Sequence, residues 1–320
     1  MRAIVHERYG PPEVLEIRDV EAPVPGENDV LIKVMAASLN RSDWENLIGK
    51  PLYARIGGLR RPRQPILGSD IAGRVEAVGS AVESLRPGDE VFGDVMYHGG
   101  SGFAEYVCVP ETAPLVRKPT SVTFADASTL PQAGIIALQG ISGRVGPGDR
   151  VLINGAGGGS GALAIQIAKA EGAEVTGVDN ILKQEFMRHV GADHVIDYLR
   201  TDYTKAETPY DLILDLVCGR SIFDNRRILA PGGRYSVVGG PVRGLLSAAT
   251  VGRMLSTGDR KLGVFMARPG KEDLLRVAEM VVTGTIRPYI EETFTMERAP
   301  EALRHLGEDR ALGKLVIEIG

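Results

Sequence analysis

Cysteine is scarce: Cys108 and Cys218 are the only two thiols in 320 residues. A disulfide-built scaffold and a four-cysteine structural zinc site are thereby excluded. Each thiol lies in an apolar run, Tyr106-Val107-Cys108-Val109 and Leu214-Asp215-Leu216-Val217-Cys218, that reads as a strand with a buried thiol. Neither sign of charge dominates either, with 37 Lys and Arg against 41 Asp and Glu, for a formal net charge of -4. A nucleic-acid partner bound by phosphate neutralisation is excluded by that balance. No apolar run approaches bilayer length, and charges at Arg2, Glu7 and Arg8 come too early for a secretion signal. The expected setting is soluble and cytoplasmic, with no membrane partner. What the chain does have is ordinary globular composition, 43% hydrophobic and 24% charged, and enough length for two domains. Its 40 glycines point to tight turns and close backbone approach.

Two regimes follow one another along the chain. The first third alternates short β-branched runs, such as Ala3-Ile4-Val5, Val30-Leu31-Ile32-Lys33-Val34, Gly73 to Val78 and Phe103 to Val107, with turn formers such as Pro23-Val24-Pro25-Gly26 and Arg86-Pro87-Gly88-Asp89. That pattern predicts an irregular all-β domain with one short helix near Ser42 to Asn46. From about Thr123 the spacing of Ala125, Ala127, Ala133, Ile136, Ala137 and Leu138 predicts a closely packed helix. Strands and helices then alternate from Val151 to Val238, which implies a parallel, doubly wound sheet. Helices over Lys271 to Thr283 and Ala299 to His305 precede a last strand, Lys314 to Ile319, expected to return to the β-rich domain.

The strongest local signal is Val151-Leu152-Ile153-Asn154-Gly155-Ala156-Gly157-Gly158-Gly159-Ser160-Gly161, followed by the apolar helix pattern of Ala162 to Lys169. A strand that feeds a glycine turn into a helix aims backbone N–H groups and the helix start at a pyrophosphate. Ala156, Gly157, Gly158, Gly159, Ser160 and Gly161 are the candidate contacts, although Ala156 stands where the strict spacing has its first glycine. Asp179 ends the next strand, 18 residues after Gly161, near the offset of an acid that binds an adenine ribose hydroxyl. A carboxylate there favours NADH, because it repels a 2′-phosphate. Lys183 and Arg188 follow it, and either is able to neutralise that phosphate or simply to face solvent. NADPH and NADH both stay open. Val238, Gly239 and Gly240 end a later strand at its carboxyl edge, where doubly wound sheets place ligands, and are expected near the nicotinamide.

With these features together, the whole chain resembles the medium-chain dehydrogenase/reductase superfamily, and within it the zinc-free quinone oxidoreductase branch. The matching stretches are Ala36 to Asp43, Gly68 to Val75, Arg86 to Gly93, Phe103 to Val107, the glycine turn, and Gly191 to Tyr198. The resemblance implies an α/β protein with a β-rich GroES-like catalytic domain over 1-120 and 266-320. It implies a Rossmann dinucleotide-binding domain over 121-265, hydride transfer in a cleft between the two, and a homodimer joined through cofactor-domain edge strands. Zinc-dependent relatives carry a cysteine where this chain has Asn40 and a Gly-His-Glu triplet where it has Gly68-Ser69-Asp70. Asn40 and Ser69 are poor zinc ligands, and none of His6, His98, His189, His194 and His305 has a second ligand at metal-binding spacing. No zinc is expected.

Without a Lewis acid, alkoxide stabilisation is lost, whereas hydride delivery to a quinone or an α,β-unsaturated carbonyl does not need one. A zinc-independent, NAD(P)H-dependent reductase of a small-molecule quinone or enone is the resulting expectation. The charge that develops on the acceptor oxygen needs hydrogen-bond donors. Asn40, Ser42 and Tyr53 are the catalytic candidates, Ser42 because it occupies the proton-relay position of the zinc-dependent relatives. Each has a plainer reading: Asn40 as a loop residue, Ser42 as a helix N-cap, Tyr53 as a wall residue. Lys314, in Gly313-Lys314-Leu315-Val316-Ile317, has two readings, a lysine that reaches the cleft and, by default, a solvent-facing strand lysine. The rival functions are a dehydrogenase of an activated secondary alcohol and a low-turnover dinucleotide-binding sensor or structural protein.

Overall fold

Runs of β-branched residues between turn formers do become strands, and the sheets they enter are set by distant partners. The computed structural model of the protein describes residues 1–56 and 58–320. It divides into two units, the first formed by Met1–Gln132, Pro269–Thr283 and Pro288–Gly320 and the second by Ala133–Arg268 with Gly284–Arg287. The first unit opens with β1 (Arg2–Val5), β2 (Glu16–Asp19), β3 (Asp29–Ser38), α1 (Arg41–Ile48), β4 (Asp70–Val78), β5 (Glu90–Asp94), β6 (Tyr106–Pro110), β7 (Leu115–Arg117) and α2 (Phe124–Ser128). After α3 (Pro131–Ile141) the second unit runs through β8 (Arg150–Asn154), α4 (Gly159–Ala170), β9 (Glu174–Asp179), α5 (Gln184–His189), β10 (His194–Asp197), β11 (Tyr210–Asp215), α6 (Ile222–Arg227), β12 (Leu229–Val237), α7 (Val242–Leu255) and β13 (Lys261–Val264). The chain then rejoins the first unit as α8 (Lys271–Val282), β14 (Ile290–Thr295), α9 (Ala299–Gly307) and β15 (Lys314–Glu318).

In the first unit the strands line up in the order β14-β15-β3-β4-β5-β7, with β6 also pairing β3. Alternation along β3 sends Val30, Ile32 and Val34 into a core completed by Leu39, Ile71, Phe103 and Leu315. Register then fixes the site: Val316 of β15 faces Ser38 of β3, Ser38 faces Asp70 of β4, and Asp70 faces Asp94 of β5. The helix expected from Thr123 is two helices instead. Pro131 pushes Leu130 out of helical geometry, so α2 stops at Ser128 and a new helix starts on the proline.

The second unit is a parallel sheet in the order β10-β9-β8-β11-β12-β13, the Rossmann-type arrangement. Its central strands β8 and β11 are buried almost throughout, which is why they read as unbroken apolar runs. Sequence order reverses between β8 and β11, and a ligand crevice belongs at the carboxyl ends of those two strands. The residues after Gly240, given no element in the sequence reading, form α7 and the edge strand β13.

Candidate active site

Asn154 ends β8, and the chain turns at Gly155, whose φ of 86° lies in the left-handed region. Glycine is needed there rather than one residue later. Ala156 is fully buried, and a Cβ on Gly177 of β9 would lie 3.2 Å from its own, so Gly177 makes the room that Ala156 fills. That exchange explains the departure from the strict glycine spacing.

Gly158 caps α4 with no side-chain hydrogen bond, which leaves the first-turn N–H groups and the positive end of the helix to a ligand. Bare backbone is enforced around them. A Cβ on Gly161 would strike the Gly155 carbonyl oxygen and lie 2.6 Å from Ala156 Cα. Gly157 is buried, with Gly158, Gly159 and Ser160 half-buried beside it. A cradle of this kind fits a pyrophosphate, and the residues present fit a dinucleotide.

Asp179 faces the same turn. Its Oδ2 accepts from the Gly157 N–H at 3.0 Å, its Oδ1 accepts from the Asn180 N–H at 2.9 Å, and Lys183 Nζ lies 3.7 Å from Oδ1. Lys183 is buried along its length, with its stem against Gly157, so the solvent-facing reading holds for Arg188 and not for Lys183. Val238, Gly239 and Gly240 lie half-buried beyond β12. Gly240 takes a φ of 127°, and a Cβ there would strike the Val217 carbonyl oxygen and sit 2.8 Å from Cys218 Cβ.

The turn that Gly240 touches is organised by Asp215, a fully buried carboxylate that pairs in register with Asn154 at the sheet's reversal point. Its Oδ1 accepts from Asn154 Nδ2 at 2.8 Å, Val217 N at 3.1 Å and Cys218 N at 2.7 Å, and its Oδ2 accepts from the Tyr235 hydroxyl at 2.9 Å. Four donors on one carboxylate lock the turn. Cys218 is thus outside the strand assigned to it, at a φ of 57°, and Cys108 on β6 is only partly buried.

In the first unit, polar side chains gather where β3, β4, β5 and β15 meet. Asn40 is the N-cap of α1, and its N–H donates to Asp43 Oδ2 at 2.8 Å, while Asp43 Oδ1 accepts from Gly68 N at 3.2 Å. Desolvation pushes the Asp43 carboxyl up to about 7, against the pull of those N–H groups. Asp70 is fully buried, raised well above the usual carboxylate range by desolvation, and leaves its Oδ1 without a hydrogen bond. Asp94 opposite is raised by burial too. Lys314 is the counter-charge. It is 5% exposed, donates to Asn40 Oδ1 at 2.6 Å and to the Leu39 carbonyl at 2.8 Å, and lies 4.0 Å from Asp70 Oδ2. The expectation of a solvent-facing lysine is overturned, because β15 is flanked by β3 and β14 and points this residue into the unit.

The other catalytic candidates are spread out. Ser42 is not the cap; its hydroxyl donates to Gln132 Oε1 at 3.3 Å. Tyr53, at the edge of the unit, donates to Glu45 Oε2 at 2.9 Å, and burial with the neighbouring Glu45 carboxylate makes its phenol a weaker acid. Asn40 stands in the buried cluster with its amide nitrogen 3.0 Å from Ser69 Oγ. Ser69 and Asp215 were not singled out as site residues by sequence reasoning, since Asn40 lies 29 residues from Ser69 and Asn154 and Tyr235 lie 61 and 20 residues from Asp215. Among the described residues, no group of three His, Cys, Asp or Glu side chains is placed to hold a metal ion.

Asp43 gives a pH signature of definite sign. In the unfolded chain its carboxyl ionises near 4, whereas in the folded chain it keeps its proton up to about 7. Its contribution to stability is therefore fully present below the unfolded value and lost as pH rises through the folded one. Asp43→Asn removes that proton, so its deficit relative to the parent should shrink from pH 5 to pH 7 by up to about 1.4 kcal/mol per unit. Parallel denaturant titrations measure this, and a gap that stays constant contradicts the assignment.

The comparisons with known proteins meet this geometry. The family model for the alcohol dehydrogenase GroES-like domain matches residues 26–120, and one described as zinc-binding dehydrogenase matches residues 190–317. The chain is 30% identical over 335 residues to the chloroplastic quinone-oxidoreductase QR1 of Triphysaria versicolor, covering 99% of this chain and 98% of that protein. It is 30% identical over 331 residues to the chloroplastic NADPH-dependent alkenal/one oxidoreductase of Arabidopsis thaliana, covering 99% and 79%. Among solved structures, the quinone oxidoreductase from Coxiella burnetii superposes with a TM-score of 0.90 at 31% identity, over 100% of this chain and 99% of that one. The chain belongs to the medium-chain dehydrogenase/reductase superfamily, in its zinc-free quinone oxidoreductase-like branch.

Proposed function

We propose that this protein is an NAD(P)H-dependent oxidoreductase that transfers hydride to a quinone or an α,β-unsaturated carbonyl. The observation that carries the reading is the bare glycine turn at the uncapped start of α4, in a chain similar end to end to reductases named for quinones and alkenals. The bound dinucleotide supplies the hydride. The chain's own work is to hold the pyrophosphate on the α4 start and to orient the ribose through Asp179. Steady-state oxidation of NADH and NADPH against quinones, enones and alcohols tests it. Turnover with quinones or enones is expected. Turnover with alcohols alone, or saturable dinucleotide binding with no acceptor-dependent consumption, would replace this reading with one of its two rivals.

The preferred dinucleotide is NADH. Asp179 is held at the turn by two N–H groups and lies 3.7 Å from Lys183, and a carboxylate at this strand end favours a ribose hydroxyl over a 2′-phosphate. Asp179→Ser frees Lys183 and should improve the Kd for NADPH relative to NADH by about tenfold, or ~1.4 kcal/mol. A parent that prefers NADPH, with no change in the variant, sinks the assignment.

The protein is also proposed to be a homodimer. β13 is an outer strand of its sheet, and Leu246, Met254 and Met266 are exposed on the same unit. Sedimentation at micromolar concentration should give twice the 34.3 kDa chain mass. A monomer removes the proposal.

A further inference from the structure

The side chains that follow α1 leave both hydrocarbon and positive charge in water. From Lys50 to Arg63 the sequence holds five cations and no acid, in a chain of net charge -4. Gly49 ends α1 in the left-handed region, and a Cβ there would lie 2.7 Å from Arg55 Nε and from the Tyr9 ring, so the glycine lets both pack against the turn. Arg55 ties the stretch down. Its Nε donates to the Gly49 carbonyl at 2.8 Å, its Nη1 donates to the Leu59 carbonyl at 3.3 Å, and its guanidinium lies 4.6 Å from the centre of the Tyr9 ring. The Tyr9 hydroxyl donates in turn to the Gly58 carbonyl at 2.6 Å. Tyr9 and Arg55 thus hold the backbone, while Leu52, Ile56 and Leu59 stay 71%, 86% and 72% exposed. Arg60, Arg61 and Arg63 follow in exposed positions and, among the described residues, make no ion pair and no side-chain hydrogen bond.

We propose that these residues are a docking surface for an anionic lipid bilayer, with Leu52, Ile56 and Leu59 entering the headgroup layer and Arg60, Arg61 and Arg63 engaging lipid phosphates. Each guanidinium presents a fork of donors that matches a phosphate, and its apolar stem lets the charge stay at headgroup level while neighbouring side chains go deeper. A bilayer with anionic headgroups satisfies the hydrocarbon and the charge at once. A folded acidic partner would have to supply a groove for each aliphatic tip, whereas a bilayer takes any apolar side chain that reaches it. No helix among the described residues is long and apolar enough to cross a membrane, so the contact is one of surface. The expectation of no membrane partner came from the lack of a spanning run, which such a contact does not need. Docking does not depend on the reductase reading; with that reading it brings the enzyme to the phase that dissolves a lipid-soluble quinone.

Sedimentation of the full chain with extruded vesicles tests the surface. The parent should partition onto phosphatidylcholine vesicles containing about 30% phosphatidylglycerol at least about tenfold more strongly than onto phosphatidylcholine alone, and added salt should release it. Arg60→Ser, Arg61→Ser and Arg63→Ser together should weaken partition onto the anionic vesicles about a hundredfold. Leu52→Ser with Leu59→Ser should weaken it about tenfold and keep the preference for anionic lipid. Lys33→Ser, Lys205→Ser and Arg276→Ser together remove the same charge from other exposed positions and should leave partition within about twofold of the parent. All the changed side chains are exposed, so every variant should stay folded by thermal melt. A parent that does not bind anionic vesicles overturns the proposal, as does a control triple variant that loses as much as the arginine one. Salt-sensitive binding to polyglutamate without binding to vesicles also overturns it and gives the surface to an acidic protein. Turnover is not read in any arm, so a failure of the reductase reading leaves these outcomes unchanged.

Discussion

Gly161→Ala is expected to cost about 1–3 kcal/mol of stability and to weaken dinucleotide binding by at least about tenfold. The reason is that the added methyl has nowhere to go. It would overlap the Gly155 carbonyl oxygen and lie 2.6 Å from Ala156 Cα, both backbone atoms of the turn it belongs to. A side chain could rotate away, but here the turn itself has to open, and the opened turn no longer presents the α4 start to a pyrophosphate. Gly158→Ser supplies the contrast. Its Cβ meets only the Gly155 carbonyl oxygen, at 3.6 Å, and serine is a favoured cap at that position, so stability should hold or rise. Thermal melts and NADH fluorescence titrations on the two variants read both effects. Equal behaviour of the pair would mean that the turn does not depend on close backbone approach.

The second large effect is at Asp215. Asp215→Ala strands Asn154 Nδ2, the Tyr235 hydroxyl and the Val217 and Cys218 N–H groups in a buried site, at an expected cost of about 3–5 kcal/mol. Stability is only part of the result. The turn at Val217 and Cys218 is where Gly240 packs, so the amides of both residues should exchange with solvent far faster in the variant, before the rest of the sheet opens. Asp215→Asn keeps one acceptor oxygen and should fall between. A loss under about 1 kcal/mol in the alanine variant, with slow exchange retained, would show the turn to be held by something else.

How much of this was legible beforehand depends on the range of each interaction. Val151 to Gly161 declared its function because a strand, a glycine turn and a helix start are all local, and Asp179 was found by its distance from them. Even there the detail went to tertiary context: the left-handed position is Gly155, and Ala156 is tolerated only because Gly177 faces it from β9. Pro131 broke a helix that apolar spacing alone would have continued. Lys314 is the clearest failure of local reading. In Gly313-Lys314-Leu315-Val316-Ile317 it looks like the polar half of an alternating strand, and only the flanking of β15 by β3 and β14 turns it inward. Asn40 was singled out for its amide, but the lysine that orients it lies 274 residues away. α7 and β13 were not assigned from the sequence, although α7 is as amphipathic as helices that were.

The interleaving of β15 with strands from the opening third of the chain bears on biogenesis. On the ribosome, the second unit's sheet has all its strands translated while the first unit still lacks β14 and β15. Ser38 waits with one flank open, and Asp70 is without the lysine 4.0 Å from its Oδ2 until residue 314 emerges. The parallel sheet is thus complete in sequence while the polar cluster of the first unit still waits for the last strand to close it.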